Sequence, residues 1–191
     1  MLTLWIALYR LGSLVMSRGR VYKTWSWLYR ALWERRLRTV VVARLSLTAL
    51  ADVLRRNAQR WAPDAWQQLW DAVSYPAKAQ EVFAGRLEAR EGLDCDEFAV
   101  YAVAAAPAEL RPRLLTVNWL KGFAPSGHNI CLLTLPDGTF TCMDYGAPWG
   151  PSKATIAEVA AMVVKAYGGD KLTFWSVSSE DLTPQPEWGW N

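Results

Sequence analysis

Five residues, Leu135-Pro136-Asp137-Gly138-Thr139, constrain the fold of this chain more than any others. Pro suits the first corner of a type I turn, and Gly suits the left-handed position that follows it. The segment therefore reads as a three-residue hairpin loop closed by a G1 bulge. Leu135 then pairs with Thr139, which sets Ile130 opposite Asp144 and Leu132 opposite Cys142. Side chains alternate along a strand, so His128, Ile130, Cys142 and Asp144 share one face. Asp144 lies diagonal to His128, a separation that side chains can bridge. A two-residue Asp137-Gly138 loop would slip the register by one and put His128 and Asp144 on opposite faces. The three-residue loop also separates Cys131 from Cys142, so no disulfide is expected between them.

Around this hairpin the chain changes character. Strand patterns fall at Leu114–Phe123, Asn129–Leu135, Thr139–Tyr145 and Leu172–Val177, with His128 just before the second. Upstream the periodicity is helical. Leu4, Leu8, Leu11 and Val15 form one stripe, with Trp5, Ile6 and Tyr9 widening it. Trp25, Leu28, Leu32 and Trp33 form another. Ser46 suits the N-cap of a helix through Leu47, Leu50, Val53 and Leu54, ending near Arg60. Asp64 suits the cap of a short helix over Trp66, Leu69, Trp70 and Val73, broken at Tyr75-Pro76. Gln80 to Arg90 reads as a further helix. Asp94 and Glu97 form a D-x-x-E capping box ahead of Phe98, Ala99, Ala102, Val103 and Ala106. Ser152 to Tyr167 reads as the last helix, capped by Ser152 and stopped by Gly168-Gly169. The tail from Thr183, with Pro184 and Pro186, reads as irregular.

Charge divides the chain. Residues 1–60 carry 12 Lys and Arg against 2 Asp and Glu, whereas residues 61–191 carry 9 against 16. Two parts are expected: a basic, Trp-rich helical extension over 1–60 and a catalytic domain over 61–191. Trp5, Trp25, Trp27 and Trp33 interleave with arginines in the first part. That pattern suits packing on the rest of the chain, or docking on a membrane surface or protein partner. It fits a nucleic acid less well, because stacking platforms usually sit on sheets or in grooves. The first apolar run stops at Arg10, short of the roughly 20 residues that a membrane helix needs. It also lacks the leading basic residues of an export signal. A cytoplasmic or virion-associated protein is therefore expected, in keeping with three unpaired cysteines.

Chemistry concentrates in three residues. Cys95 follows the cap residue Asp94, where helix N–H groups and the positive end of the helix dipole favour a thiolate. Asp96 and Glu97 act against this, since nearby negative charge raises a thiol pKa. A histidine partner is then needed to activate the thiol. The bland reading of Cys95 is a small buried side chain. His128 is the only histidine in the chain. With Asp144 orienting its ring, it would complete a nucleophile–base–orienter set. No cofactor or metal is called for.

These residues match a known pattern. Gly92-Leu93-Asp94-Cys95-Asp96-Glu97-Phe98-Ala99 resembles the G-x-C-[DE]-[DE]-[FY]-A signature of transglutaminase-like proteins, with one extra residue before the Cys. Gly127-His128-Asn129-Ile130 resembles the strand that carries the family's histidine. Met143-Asp144-Tyr145-Gly146 resembles its L-D-N segment, with Tyr145 where Asn is common. Tyr75-Pro76-Ala77 sits where these proteins often carry an aromatic-Pro pair. The resemblance spans about residues 65–180 and is nearest to bacterial transglutaminase-like cysteine proteinases. It implies an α+β, papain/transglutaminase-like core with the nucleophile helix packed on an antiparallel sheet. Cys95 would be the nucleophile, His128 the general base and acid, and Asp144 the orienter of a catalytic triad. The Cys95 backbone N–H would help hold the oxyanion, with Tyr75, Gln80 and Gln68 as candidate side-chain donors. The implied activity is that of a thiol protease or other hydrolase, cutting an amide of a peptide or protein through a Cys thioester. The competing expectation is a catalytically silent module of the same fold, working through its basic N-terminus.

Overall fold

In the computed structural model of the chain, the predicted turn closes the hairpin. The Leu135 N–H donates to Thr139 O at 2.8 Å and the Gly138 N–H to Leu135 O at 2.9 Å. Gly138 takes a φ of 82°, the left-handed conformation for which Gly is suited. The Asp137 carboxylate accepts from the Thr139 hydroxyl and backbone N–H, and these bonds hold its pKa below the usual value. The strands pair as the turn dictates, with Leu132 opposite Cys142 and Cys131 opposite Met143.

The structure describes residues 7, 8, 11, 41–61, 79, 80, 83, 84, 93–179 and 183–190. The expectations for the rest of the first 40 residues, for Asp64–Val73, for Tyr75-Pro76 and for most of Gln80–Arg90 lie outside them. Within them, α1 spans Leu47–Ala58, α2 spans Cys95–Ala105, and a short 3₁₀ turn covers Ala108–Leu110. Strands β1 (Arg113–Lys121), β2 (Ala124–Thr134), β3 (Phe140–Asp144) and β4 (Ala147–Lys153) follow. Then come α3 (Ile156–Ala166), β5 (Lys171–Ser178) and β6 (Pro184–Gly189). The strands form one sheet in the order β4-β3-β2-β1-β5-β6, with every neighbouring pair antiparallel. The fold is α+β.

Helices cover both faces of this sheet. Leu114, Cys131, Leu133 and Met143 pack with α1 and α2, around Leu50, Leu54, Phe98 and Val103. Leu115, Val117, Ile130, Leu132 and Cys142 pack with Val159, Ala160 and Val163 of α3. Residues 130–133 are therefore buried without a break, because alternate side chains fill two different cores. Cys131 and Cys142 fall in opposite cores and both are free thiols, as the register requires.

Local chemistry accounts for the helix starts. Ser46 caps α1 by accepting from the Ala49 N–H at 3.2 Å. The Asp94–Glu97 box forms on α2. The start of α3 differs from expectation. Ser152 lies in β4, and Thr155 is the cap. Thr155 and Glu158 make a reciprocal box, which satisfies two helix N–H groups where Ser152 would satisfy one. Two strands also differ. β4 replaces the expected first turn of the helix, and β6 forms in the tail that reads as irregular. Both are edge strands carrying prolines, where a missing N–H costs no ladder hydrogen bond. β2 begins at Ala124 rather than Asn129, so His128 lies within the strand.

The segment leading into α1 is joined to α2. Arg44 Nη1 donates to Val103 O at 2.9 Å and Ala106 O at 3.0 Å, and the Leu45 N–H donates to Ala105 O at 2.7 Å. These bonds satisfy carbonyls that a helix C-terminus leaves open. Leu50, Ala51 and Leu54 then bury one face of α1 in the same core. Arg44, Leu45 and α1, all in the basic part, thus pack on the sheet-bearing body. Arg44→Met keeps the aliphatic stem and removes both side-chain bonds. It is expected to cost about 1–3 kcal/mol, read from the urea unfolding midpoint. An unchanged midpoint would show that the cap contributes nothing.

No helix among the described residues is long and apolar enough to cross a membrane. Leu8 and Leu11, in the first predicted stripe, are helical and exposed.

Candidate active site

The first turn of α2 is built from acids. Asp94 Oδ1 accepts from the Asp96 N–H at 3.1 Å, and Glu97 Oε2 accepts from the Asp94 N–H at 3.0 Å. Asp94, Asp96 and Glu97 are all buried, and their carboxylates lie within 4.8 Å of one another. Two of these three carboxylates serve as the helix cap. Cys95 is the first residue of the helix and is half-buried.

His128 and Asp144 meet as the register predicts. His128 Nε2 lies 3.1 Å from Asp144 Oδ2, with both side chains nearly fully buried. A third group joins them. The Tyr167 hydroxyl donates to Asp144 Oδ2 at 2.6 Å and lies 2.9 Å from His128 Nε2. Tyr167 is the C-cap residue of α3. These contacts assign the imidazole tautomer. A carboxylate only accepts, and the single phenolic hydrogen goes to Asp144. Nε2 must therefore carry a hydrogen, shared between Asp144 Oδ2 and Tyr167 Oη. The neutral ring then keeps its lone pair on Nδ1.

The strand alternation places His128 and Asp144 on the α3 side of the sheet, since Ile130 and Cys142 belong to that core. Cys95 begins a helix that packs on the other side. The two sides meet where β3 ends. Tyr145 follows Asp144 with a φ of 43°, a left-handed backbone that is uncommon for a bulky residue. Its ring packs 5.0 Å from Phe98 of α2 and 5.6 Å from His128 (centroid distances). On the far side of His128, the Tyr167 ring lies 4.4 Å away, and Trp119 lies 5.8 Å beyond Tyr167. Aromatic rings thus run from α2, around the end of β3, to α3.

Electrostatics couples Cys95 to this seam. Burial pushes the Tyr145 pKa well above the ordinary phenol value, and the charges of Cys95 and Asp144 push it the same way. A polar contact from the Trp61 indole acts in the opposite direction. Tyr167 is also raised, first by burial, then by its hydrogen bond to Asp144 and the charges of Asp144, Tyr145 and Cys95. Both phenols therefore stay protonated across the working pH range. The structure brings His128 and Asp144 into direct contact. It sets Cys95 close enough to influence both phenols that flank His128.

The turn after Asp144 is pressed against α1. Gly146 has a φ of 97°, and a Cβ there would lie 2.6 Å from Ala51 O and 2.6 Å from the Arg55 N. Arg55 Nη2 donates to Gly146 O at 3.1 Å. A helix from the basic part of the chain thus supports the loop that carries Asp144 and Tyr145.

Of the candidate side-chain oxyanion donors, Gln80 is described and Tyr75 and Gln68 are not. Gln80 lies in a helical segment whose Phe83 packs on Phe98 and Tyr101 of α2. Its Oε1 is buried without a hydrogen-bond partner among the described residues. Sequence reasoning missed Tyr167, which reads only as the end of a helix before Gly168-Gly169. No spacing rule ties that position to His128 or Asp144. Comparison of the chain with protein-family models, curated proteins and solved structures finds no match.

Proposed function

We propose that this chain is a cysteine hydrolase or acyltransferase of the transglutaminase-like kind, acting on an amide bond of a peptide or protein. The observation that carries the reading is the His128 Nε2–Asp144 Oδ2 bond, which leaves the Nδ1 lone pair available as a base. A nucleophile helix lying on an antiparallel sheet, with the cysteine at its first position, supports the same reading.

In this mechanism the Cys95 thiol gives its proton to His128 Nδ1. The thiolate attacks the amide carbonyl carbon, and the carbonyl electron pair moves to oxygen. The Cys95 backbone N–H, at the positive end of α2, donates to that oxyanion. Collapse restores the carbonyl and breaks the C–N bond, and the leaving amine takes the proton from imidazolium. A thioester on Cys95 remains. Water, losing a proton to His128, or an acceptor amine then releases the acyl group. Asp144 holds the ring and balances the imidazolium charge throughout. Asp96 and Glu97 disfavour a lone thiolate, so the reading depends on the imidazolium partner.

Iodoacetamide labelling at neutral pH tests this without knowledge of the substrate. Burial pushes the Cys142 thiol up to about 12 and raises Cys131 as well, so both are expected to stay inert. Cys95 is expected to react at least about tenfold faster than either, as mass spectrometry would show. Equal, slow labelling of all three thiols would sink the enzymatic reading and favour a catalytically silent interaction module.

A further inference from the structure

We infer that Tyr167 is a positioning residue for His128, a second anchor that fixes which ring nitrogen serves as the base. This assignment rests on the cysteine-hydrolase reading and adds a group to its machinery. The Tyr167 oxygen lies 2.9 Å from His128 Nε2, closer than Asp144 Oδ2 at 3.1 Å, so the Nε2–H is held by two acceptors. Its own hydrogen goes to the same Asp144 oxygen, at 2.6 Å. The three groups form a closed triangle in which each polar atom is satisfied by the other two.

Two consequences follow. Turning the ring over would take Nε2 away from both acceptors at once, so the orientation with Nδ1 as the base is doubly secured. The phenol ring, tilted at 47° to the imidazole with centroids 4.4 Å apart and backed by Trp119, also covers this side of the pair against water. Burial and the neighbouring negative charges keep the hydroxyl protonated, so it remains a donor to Asp144.

Tyr167→Phe separates the hydroxyl from the ring. It preserves the cover and the helix cap and removes only the oxygen. Because the chain has a single histidine, ¹⁵N NMR of ring-labelled protein reports the His128 tautomer without ambiguity. In the variant, the ratio of Nε2–H to Nδ1–H tautomer is expected to fall about tenfold, the factor set by one ordinary hydrogen bond. Cys95 alkylation at neutral pH is expected to slow in proportion to the share of the ring that leaves the Nε2–H form, beside a urea midpoint lowered by the loss of one buried hydrogen bond. A purely structural tyrosine would leave both the ratio and the rate as they are in the wild type. An unchanged ratio overturns the assignment whatever the rate does, and so does an unchanged rate where the Nε2–H fraction itself falls, in a protein whose Cys95 is reactive. If wild-type Cys95 reacts no faster than Cys131, the hydrolase reading fails. A lowered ratio then still establishes Tyr167 as the anchor of the imidazole.

Discussion

Cys95→Ala is expected to abolish turnover of any amide substrate that the wild-type chain cleaves, by at least about 10⁴-fold, while the protein stays folded. The sulfur is the only protein atom in the proposed mechanism that bonds to the acyl group, so no other side chain can take its place. The fold should tolerate the change, because Cys95 is half-buried at a helix start and the cap is made by Asp94 and Glu97. Asp144→Asn should lose about 10³–10⁴-fold for a different reason. An amide at this position can donate to Nε2 instead of accepting from it, which moves the ring hydrogen to Nδ1 and removes the base. The measurement is single-turnover hydrolysis beside a urea unfolding curve for each variant. Full turnover in both variants would falsify the mechanism. Loss in Cys95→Ala alone would leave the nucleophile in place and remove Asp144 from the machinery.

Gly146→Ala is expected to be strongly destabilising, at about 3 kcal/mol or more. Two costs combine there. A left-handed φ of 97° strains any side-chain-bearing residue, and the new Cβ meets backbone atoms of α1 at 2.6 Å. Backbone cannot rotate out of the way as a side chain can, so α1 or the turn must move. Gly138→Ala is the control. Its φ is 82°, but nothing lies within 4 Å of an added Cβ, so only the conformational cost of about 1–2 kcal/mol remains. The difference between the two urea midpoints isolates the docking of α1 on the turn after Asp144. Equal losses would mean that the close approach does not constrain the native protein. If α1 is displaced, Arg55 also leaves Gly146 O, and activity should fall with stability.

The α1 contact changes how the two halves of the charge pattern are understood. Residues 1–60 read as a basic extension beside an acidic domain. Leu50, Ala51 and Leu54 are in fact built into the core, and Arg55 supports the turn that follows Asp144. The boundary in charge does not coincide with a boundary in packing here, because charge is carried by the exposed face of α1 and packing by Leu50, Ala51 and Leu54 on the other.

Much of the site is legible in the amino-acid sequence. The Asp94–Glu97 box is a four-residue pattern, so the start of α2 and the place of Cys95 are local facts. The Leu135–Thr139 turn is equally local, and pairing carries its consequences seven residues along one strand, to His128, and five along the other, to Asp144. A helix start signalled by a single polar residue is a weaker guide. Ser152 reads as a cap only when Thr155 and Glu158, a complete box, are passed over. The prolines of β4 and β6 read as breakers, because a sequence does not say which strands will lie at an edge.

By itself, then, the sequence determined what depends on neighbours in the chain: caps, a turn, a register, and through the register the face shared by His128 and Asp144. Tertiary structure decided which helix covers that face, that Tyr145 bridges the two sides around the end of β3, and that Tyr167 closes on the His–Asp pair. It also decided that Gly146 must be a glycine, for reasons that lie in α1. These are contacts between segments dozens of residues apart. Each is set by how two surfaces fill space against each other, and no spacing or periodicity within one segment encodes that.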